Sequence, residues 1–303
     1  MARLCLIIPT YNPAPYLDRL IQSVEEQTLR PDEIVIVDSS SSDGSAERLR
    51  KWADRFISID PATFDHGGTR RLAAAAASGD ILLFLTQDAL PATQDAFDRL
   101  VAFLESDPKM GAAYGRQIPY DETNLFGKHL RLFNYPETSC VKSLEDADRY
   151  GIKTPFLSDS FAAYKKEALA GVGSFGKKLI ACEDLEVGAR LLKAGYTIGY
   201  CAEAAVYHSH SYSVKEEFMR YFDIGVFHAE HPHIRKEFAA AEGEGGRYVR
   251  SELAYLLRHK AFWLLPHFFM RNLAKYAGYK LGLFYKKLPR PLARRLSMHK
   301  SWW

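Results

Sequence analysis

The order of apolar segments predicts an α/β protein. It has a sheet of mainly parallel strands with helices on both faces, followed by a basic helical C-terminal region. Three observations carry this. Short continuous apolar runs, such as Leu4-Cys-Leu-Ile-Ile8 and Ile81-Leu-Leu-Phe-Leu85, alternate with segments of helical spacing. Each run ends in a polar or turn-forming cluster, where sheets of this kind bind ligands. Finally, Leu253 to Trp303 holds no Asp or Glu and eleven Lys and Arg, although the whole chain is only +3, so the body is net acidic.

Leu4 to Ile8 has the continuous apolarity of a strand buried on both faces and stops at the turn cluster Pro9-Thr-Tyr-Asn-Pro13. Leu17, Leu20, Ile21 and Val24 follow helical spacing. Glu33-Ile-Val-Ile-Val37 is a second strand closed by Asp38, and a Ser-rich loop with Asp43-Gly44 leads into a helix burying Leu49 and Ala53. Phe56 to Ile59 reads as a third strand, Gly68 to Ser78 as an Ala-rich helix, and Ile81 to Leu85 as a strand ending at Thr86-Gln87-Asp88. A helix on Phe97, Leu100, Val101 and Leu104 precedes a strand at Gly111 to Tyr114. Residues 119–155 lose the pattern, as a substrate-covering segment does. A strand at Phe161 to Tyr164, a short helix at Lys165 to Ala170 and a turn at Gly171 to Phe175 lead to the helix opened by Glu183 and Asp184. Val187, Leu191 and Leu192 keep its period, and Gly195 ends it. Thr197 to Cys201 reads as a strand, Val206 to His210 as another, Phe218 to Gly225 as a helix, and Glu242 to Gly246 as a hinge into the basic region.

The 303 residues suffice for one large α/β domain or a domain with an appendage. Four scattered cysteines with no C-x-x-C pair argue against a zinc site or a disulfide framework and suit a reducing cytosol. The N-terminus enters a strand directly, without signal-peptide features. No apolar run approaches the ~20 residues of a membrane-spanning helix.

Several groups can carry chemistry. Asp38 can accept hydrogen bonds from a ligand ring, and the Ser-rich loop can offer N–H groups to phosphate; the same residues equally make a polar turn with an N-cap. In Phe64-Asp-His-Gly-Gly-Thr-Arg-Arg71 two glycines permit close backbone approach, and Arg70 and Arg71 can pair with phosphate oxygens. Asp88 suits a phosphate-bound Mg²⁺, which takes only one or two protein carboxylates. His208 and His210 alternate on a strand, so both face one side, and imidazole suits Mn²⁺. Glu183 and Asp184 either start a helix well or provide a base facing the site. Neither G-x-G-x-x-G after the first strand nor G-x-x-x-x-G-K-[ST] occurs, which removes the dinucleotide and P-loop readings. Aromatics and Lys/Arg in the C-terminal region fit either an interfacial amphipathic region or a helical subdomain packed on the body. They cluster with leucines and do not alternate with charges, which disfavours nucleic acid as a partner.

Taken together, Pro9 to Pro13, Val37-Asp38 with Ser42-Asp43-Gly44, the Gly67 to Ala77 segment, Asp88 and Glu183-Asp184 resemble the family 2 inverting glycosyltransferases with the GT-A fold, over about residues 2–212. Phe64 to Arg71, His208-Ser-His210 with Ser213, Lys275 to Gly282 and His299-Lys-Ser-Trp302 further resemble bacterial rhamnosyltransferases that use dTDP-L-rhamnose. The resemblance implies that Thr10, Tyr11 and Asp38 hold the nucleoside and that His66, Gly67, Gly68 and Arg71 complete its pocket. Asp88, with His208, would bind Mg²⁺ or Mn²⁺. Asp184 would be the catalytic base, with Glu183 and Asp159 at the acceptor. The expected organisation is a glycosyltransferase domain at 1–212, with a nucleotide-sugar half at about 1–115 and an acceptor half at about 116–212. The basic helical region at 213–303 would follow.

The implied activity is transfer of a sugar, L-rhamnose favoured, to a growing surface glycan or lipid-linked saccharide. The expected setting is the cytoplasm, with the C-terminal region either touching an anionic inner-leaflet surface or packed on the body. Two features depart from the family pattern: Thr86-Gln87-Asp88 keeps only one carboxylate of the D-x-D motif, and Ser39 stands where a second Asp is common. The alternatives are another donor, UDP-hexose or galactofuranose, a sugar nucleotidyltransferase, or a non-catalytic sugar-binding protein. The second would need a G-x-G-T-R-L loop after the first strand, and Pro9 to Pro13 is not one.

Overall fold

The computed structural model describes residues 2–238 and 244–303. β1 (Leu4–Thr10), β2 (Glu33–Asp38), β3 (Arg55–Ser58) and β4 (Ile81–Leu85) are parallel, in the order β3-β2-β1-β4. They are linked through α1 (Leu17–Glu25), α2 (Ser45–Trp52) and α3 (His66–Ala76). Cys5, Ile7, Val35 and Val37 join one buried cluster, while Leu4, Leu6, Ile8 and Ile36 join another on the opposite face. Cover on both faces is why these strands are apolar without alternation. The strand order reverses between β1 and β4, which opens a crevice beyond their carboxyl ends.

The rest of the sheet comprises β5 (Leu90–Pro91), β6 (Met110–Ile118), β7 (Cys140–Lys142), β8 (Phe161–Lys165) and β9 (Thr197–Tyr207). It continues β4-β8-β6-β9-β5, with β7 also on β9. β8 runs against both β4 and β6, and β5 and β7 run against β9; the other six strands share one direction. The two runs expected at 197–201 and 206–210 form one strand, with a register shift opposite Gly115 and Arg116, and it stops at Tyr207. Helix α4 (Ala96–Glu105) covers the sheet between β5 and β6.

The stretch 119–155 is not patternless. It contains α5 (Leu125–Asn134), capped by Asn124 Oδ1 accepting from Gly127 N–H, and α6 (Ala147–Tyr150). The apolar period of α5 is masked because its buried face carries Gly127, His129 and Arg131 beside Phe126. After β8 come α7 (Lys166–Gly171) and α8 (Glu183–Lys193), then α9 (Val214–Glu230), α10 (Pro232–Glu237), α11 (Glu244–Arg258), α12 (Leu265–Leu283) and α13 (Arg290–Leu296). Of the expected hinge, Glu242 and Gly243 lie outside the described residues, and Glu244 to Gly246 begin α11.

Helices α9 and α12 touch backbone to backbone: a Cβ at Gly278 would stand 2.3 Å from the Phe218 carbonyl oxygen, and one at Gly282 2.1 Å from that of Phe222. Phe222, Val226 and Phe227 of α9 share a buried cluster with Leu185 and Leu191 of α8. The C-terminal helices therefore pack on the sheet's cover, and the last residues return to α3 and α8. No helix among the described residues is long and apolar enough to cross a membrane.

Candidate active site

The ends of β1, β2 and β4 are tied together. Asp38 Oδ1 accepts from the Thr10 and Ser41 hydroxyls at 2.9 and 2.6 Å, and its Oδ2 accepts from Ser41 N–H at 2.8 Å. Gln87, just past β4, accepts from Tyr11 N–H and donates back to Tyr11 carbonyl at 2.8 and 3.0 Å. Thr10 and Asp38 are buried, while the Tyr11 ring is exposed at the rim.

Asp88, next along, meets two imidazoles. Its Oδ2 lies 3.4 Å from His208 Nε2 and 3.7 Å from His210 Nε2, and one ligand atom from each of the three lies within 4.8 Å of the others. Both histidines follow the end of β9, so strand alternation does not bring them together; the turn after Tyr207 does. His208 Nδ1 contacts Gln117 Oε1 at 2.9 Å, while Gln117 Nε2 donates to Ser158 Oγ at 2.8 Å. With that amide orientation, assigned from the network, His208 Nδ1–H donates to Gln117, so Nε2 is joined to the Asp88 carboxylate by a second proton or by a cation. Burial raises the Asp88 pKa, but the His208 contact and then the charges of His208 and His210 outweigh it, leaving the carboxyl well below its usual range. Burial, then His208, lowers His210 to about 4. A partly buried carboxylate faces two imidazoles whose protonation burial disfavours, so the cluster is completed by a shared positive charge, either a proton or a cation. The donor set fits a divalent transition ion.

The second cluster surrounds the start of α8. Cys182 takes a left-handed backbone (φ 61°) and swings the chain into a first turn holding Glu183, Asp184 and Glu186. Arg70 of α3 is buried between two carboxylates, its Nε 3.0 Å from Asp159 Oδ2 and its Nη1 2.8 Å from Glu183 Oε1. Asp159 Oδ1 also accepts from the Tyr164 hydroxyl at 2.6 Å. His66 stands 4.0 Å from Glu183 and 3.4 Å from His299 Nδ1, and Asp223 Oδ2 accepts from His299 N–H. Asp184 has no basic partner among the described residues; its Oδ1 accepts from Leu185 N–H at 2.7 Å. Burial, then Glu183 and Asp159, raises its pKa well above the carboxylate range. Asp159 rises to about 6 for the same first reason, with Arg70 opposing.

The two clusters adjoin. Ser158, the far end of the His208–Gln117 chain, precedes Asp159. Tyr135 feels the charges of both Arg131 and Asp184, and Arg131 feels that of Asp88. A cluster able to hold a cation, a carboxylate with raised proton affinity and a polar strand-end crevice thus lie in one region of the molecule.

The sequence profile described as glycosyl transferase family 2 matches residues 5–173, more than half of the chain. The chain belongs to glycosyl transferase family 2. It is 43% identical to the O-antigen chain rhamnosyltransferase RfbN of Salmonella typhimurium, over 99% of this chain and 96% of that protein. It is 41% identical to WbaN of Salmonella anatum, of the same description, over 100% and 96%. Among solved structures it is similar to the mannosyltransferase PcManGT of Pyrobaculum calidifontis in complex with GDP-Man and Mn²⁺ (TM-score 0.66, 19% identity, 94% of this chain and 88% of that one). It is also similar to S. aureus TarS 1–349 in complex with UDP-GlcNAc (TM-score 0.57, 18%, 98% and 84%). The fold is GT-A-like, and the protein is a nucleotide-sugar-dependent glycosyltransferase with a glycan acceptor.

Within this glycosyltransferase several expected positions differ. Arg71 does not point at the strand ends: its Nη1 donates to the Gly173 and Phe175 carbonyls at 2.7 and 3.1 Å. The close approach at Gly67 is to protein, since a Cβ there would stand 2.0 Å from the Gly176 carbonyl oxygen. Gly68 N–H donates to Asp65, the N-cap of α3. His66 joins the Glu183 group. Glu183 and Asp159 are sealed against Arg70, so they hold that cation in place instead of lying open to an acceptor. Gln117, Arg131 and Tyr135 were not singled out by sequence: Gln117 carries no local signal, and the other two lie in the stretch whose period is masked. Arg70 was noticed only as a phosphate partner.

Proposed function

We propose that this glycosyltransferase moves L-rhamnose from dTDP-L-rhamnose to a hydroxyl of a growing surface glycan or lipid-linked saccharide, with inversion. The near-full-length similarity to two O-antigen rhamnosyltransferases supports the donor and the acceptor class. The observation that carries the mechanism is Asp184: a carboxylate of raised proton affinity, without a basic partner among the described residues, in the same region as the Asp88, His208 and His210 group. An acceptor oxygen forms a bond to the anomeric carbon as its proton passes to the Asp184 carboxylate. The bond from that carbon to the diphosphate oxygen breaks, and its electron pair leaves with the nucleoside diphosphate. Thr10, Tyr11 and Asp38 hold the nucleoside, while His66 and Glu183 with Asp159 and Arg70 fix the geometry around Asp184. Asp88, His208 and His210 would hold Mn²⁺ or Mg²⁺, the two imidazoles favouring Mn²⁺. When bound, that ion stabilises negative charge on the diphosphate.

The test presents dTDP-L-rhamnose, UDP-hexoses and UDP-galactofuranose to the protein with a lipid-linked saccharide and reads product anomeric configuration by NMR. Preferred use of a UDP sugar sinks the rhamnose assignment, and retention sinks the single-displacement mechanism.

In this reading residues 1–212 carry the chemistry, donor side about 1–115 and acceptor side about 116–212, and 213–303 docks on the cytoplasmic face of an anionic membrane. Phe262, Trp263, Phe269, Leu273, Tyr276 and Phe284 are exposed along or beside α12. Arg235, Lys236, Lys280, Lys286 and Lys287 line a groove near its end. Apolar burial and anionic headgroups reward such a face together. Sedimentation with vesicles tests it: binding to phosphatidylglycerol vesicles and loss in Trp263→Ser/Phe269→Ser is expected, and equal recovery without vesicles overturns it.

A further inference from the structure

Gly127, Arg131 and Tyr135 follow one another at four-residue spacing on α5 and its cap, so they share one face. Gly127 rests against the loop of the cation cluster, where a Cβ would stand 2.4 Å from the His210 carbonyl oxygen. The start of α5 is stitched to that loop by Asn124 N–H donating to Ser211 Oγ at 3.0 Å and by the Thr123 and Ser209 hydroxyls at 2.5 Å. At the other end Tyr135 is buried within the field of Asp184. Arg131 lies between.

Three arginines are buried among the described residues. Arg70 is held by Asp159 and Glu183, and Arg271 by Glu217 and the Tyr212 carbonyl. Arg131 alone of these has no carboxylate partner. It is 7% exposed, and its Nε is buried without a hydrogen-bond acceptor. Its guanidinium stands 6.0 Å from the Tyr135 ring centroid. Arg220, whose guanidinium sits 5.5 Å from the Tyr212 ring, approaches the same histidine loop from α9. A buried cation without a counter-charge is unfavourable, and a guanidinium fork matches two phosphate oxygens.

We infer that Arg131 is the counter-cation for the donor's diphosphate, gripping it between the Asp88 cluster and the start of α8, with Arg220 assisting. The inference rests on the glycosyltransferase reading and adds to it a residue that balances the leaving group's charge beside the Asp88 cluster. Arg131 both binds the ground-state diphosphate and meets the extra charge that develops on it as the sugar departs.

The experiment titrates wild type, Arg131→Met and Arg131→Lys, each with Mn²⁺. The probes are dTDP, UDP and GDP, the nucleoside of whichever binds best, and farnesyl diphosphate. Arg131→Met is expected to weaken the nucleoside diphosphate about tenfold to a hundredfold, the range for a hydrogen-bonded charge. The nucleoside should bind unchanged and Arg131→Lys should restore part of the loss. Equal loss for the nucleoside would make the role structural and overturn the inference. So would unchanged diphosphate affinity in Arg131→Met. A loss confined to farnesyl diphosphate would assign the anion to a lipid acceptor and overturn the donor assignment. Wild type that binds none of the three nucleotides would overturn the underlying reading together with this inference, whereas wild-type binding matched by both variants overturns Arg131 alone.

Discussion

Asp88 at the tip of β4 and Asp184 at the start of α8 are the same chemical group with opposite fates. Both are partly buried, so desolvation pushes both pKa values up. Asp88 has two imidazoles beside it and ends below the carboxylate range; Asp184 has Glu183 and Asp159 and ends above it. Burial is the largest influence on both and acts upward on both; the neighbours add to it at Asp184 and overturn it at Asp88. The first environment favours the ionised carboxylate, as the proposed cation site requires, and the second raises proton affinity, as the proposed base requires. Separated pKa values of this kind mark an acid–base division of labour. Arg70 keeps the second environment from going too far: it neutralises Glu183 and Asp159 and leaves Asp184 as the carboxylate not in direct contact with a cation.

The strongest break in the comparison is Asp184→Asn. Loss of a general base is expected to lower transfer by about 10²- to 10⁴-fold while nucleoside diphosphate binding is kept. In wild type, transfer should fall with decreasing pH as Asp184 takes up its proton, at a pH above the ordinary carboxylate range. Stability should move the other way. A carboxyl whose folded pKa is raised contributes stability that is present below its unfolded pKa and lost as pH rises through the folded one. Asn carries no such loss, so the variant should melt about 2 °C higher near neutral pH, for roughly 1 kcal/mol. A variant of unchanged activity removes Asp184 from the chemistry.

Arg70→Met comes next. Removing one partner of a buried ion pair leaves uncompensated charge and costs about 3–5 kcal/mol. Thermal unfolding should show a destabilised protein, partly rescued at low pH where Asp159, raised to about 6, and its neighbours protonate. A melting curve like that of wild type would mean the carboxylates do not depend on Arg70.

On the cation side, Gln117→Ala should weaken Mn²⁺ about tenfold to a hundredfold, the usual effect of losing a partner that orients a ligand imidazole. Calorimetric titration reads it, and an unchanged affinity would mean His208 is not oriented by Gln117.

These effects divide by how locally each site is encoded. The places of Asp38, Asp88 and Asp184 at element ends are legible because each closes a short apolar run or opens an amphipathic one, so a few residues announce the position. The parallel β1 to β4 half was legible for the same reason. Gln117 and Ser158 were not, because their meaning is a pairing across 41 residues. Arg131 was hidden inside a helix whose inward face is polar. The pairing of His208 with His210 was anticipated for a reason that does not hold, since both lie past the end of β9. Gly67 shows the limit of such signals: a glycine's freedom says that something approaches, not whether it is ligand or backbone, and here the Gly176 backbone approaches.

The smallest expected effect separates two adjacent arginines. Arg70 and Arg71 look alike in sequence, and successive helix positions point about 100° apart. Arg70 turns inward to two carboxylates, while Arg71 turns to the Gly173 and Phe175 carbonyls in the turn before α8. Its contacts are hydrogen bonds to neutral acceptors, each worth about 1 kcal/mol. Arg71→Ala should therefore cost about 1–2 kcal/mol in stability and leave the KM for the nucleotide sugar unchanged, measured by thermal unfolding and steady-state kinetics on one preparation. A rise in KM with normal stability would return Arg71 to the phosphate side and show that this region rearranges when donor binds. The turn it anchors leads directly into Cys182 and Asp184, so a small fall in kcat without a change in KM is the outcome that fits a strut under the base.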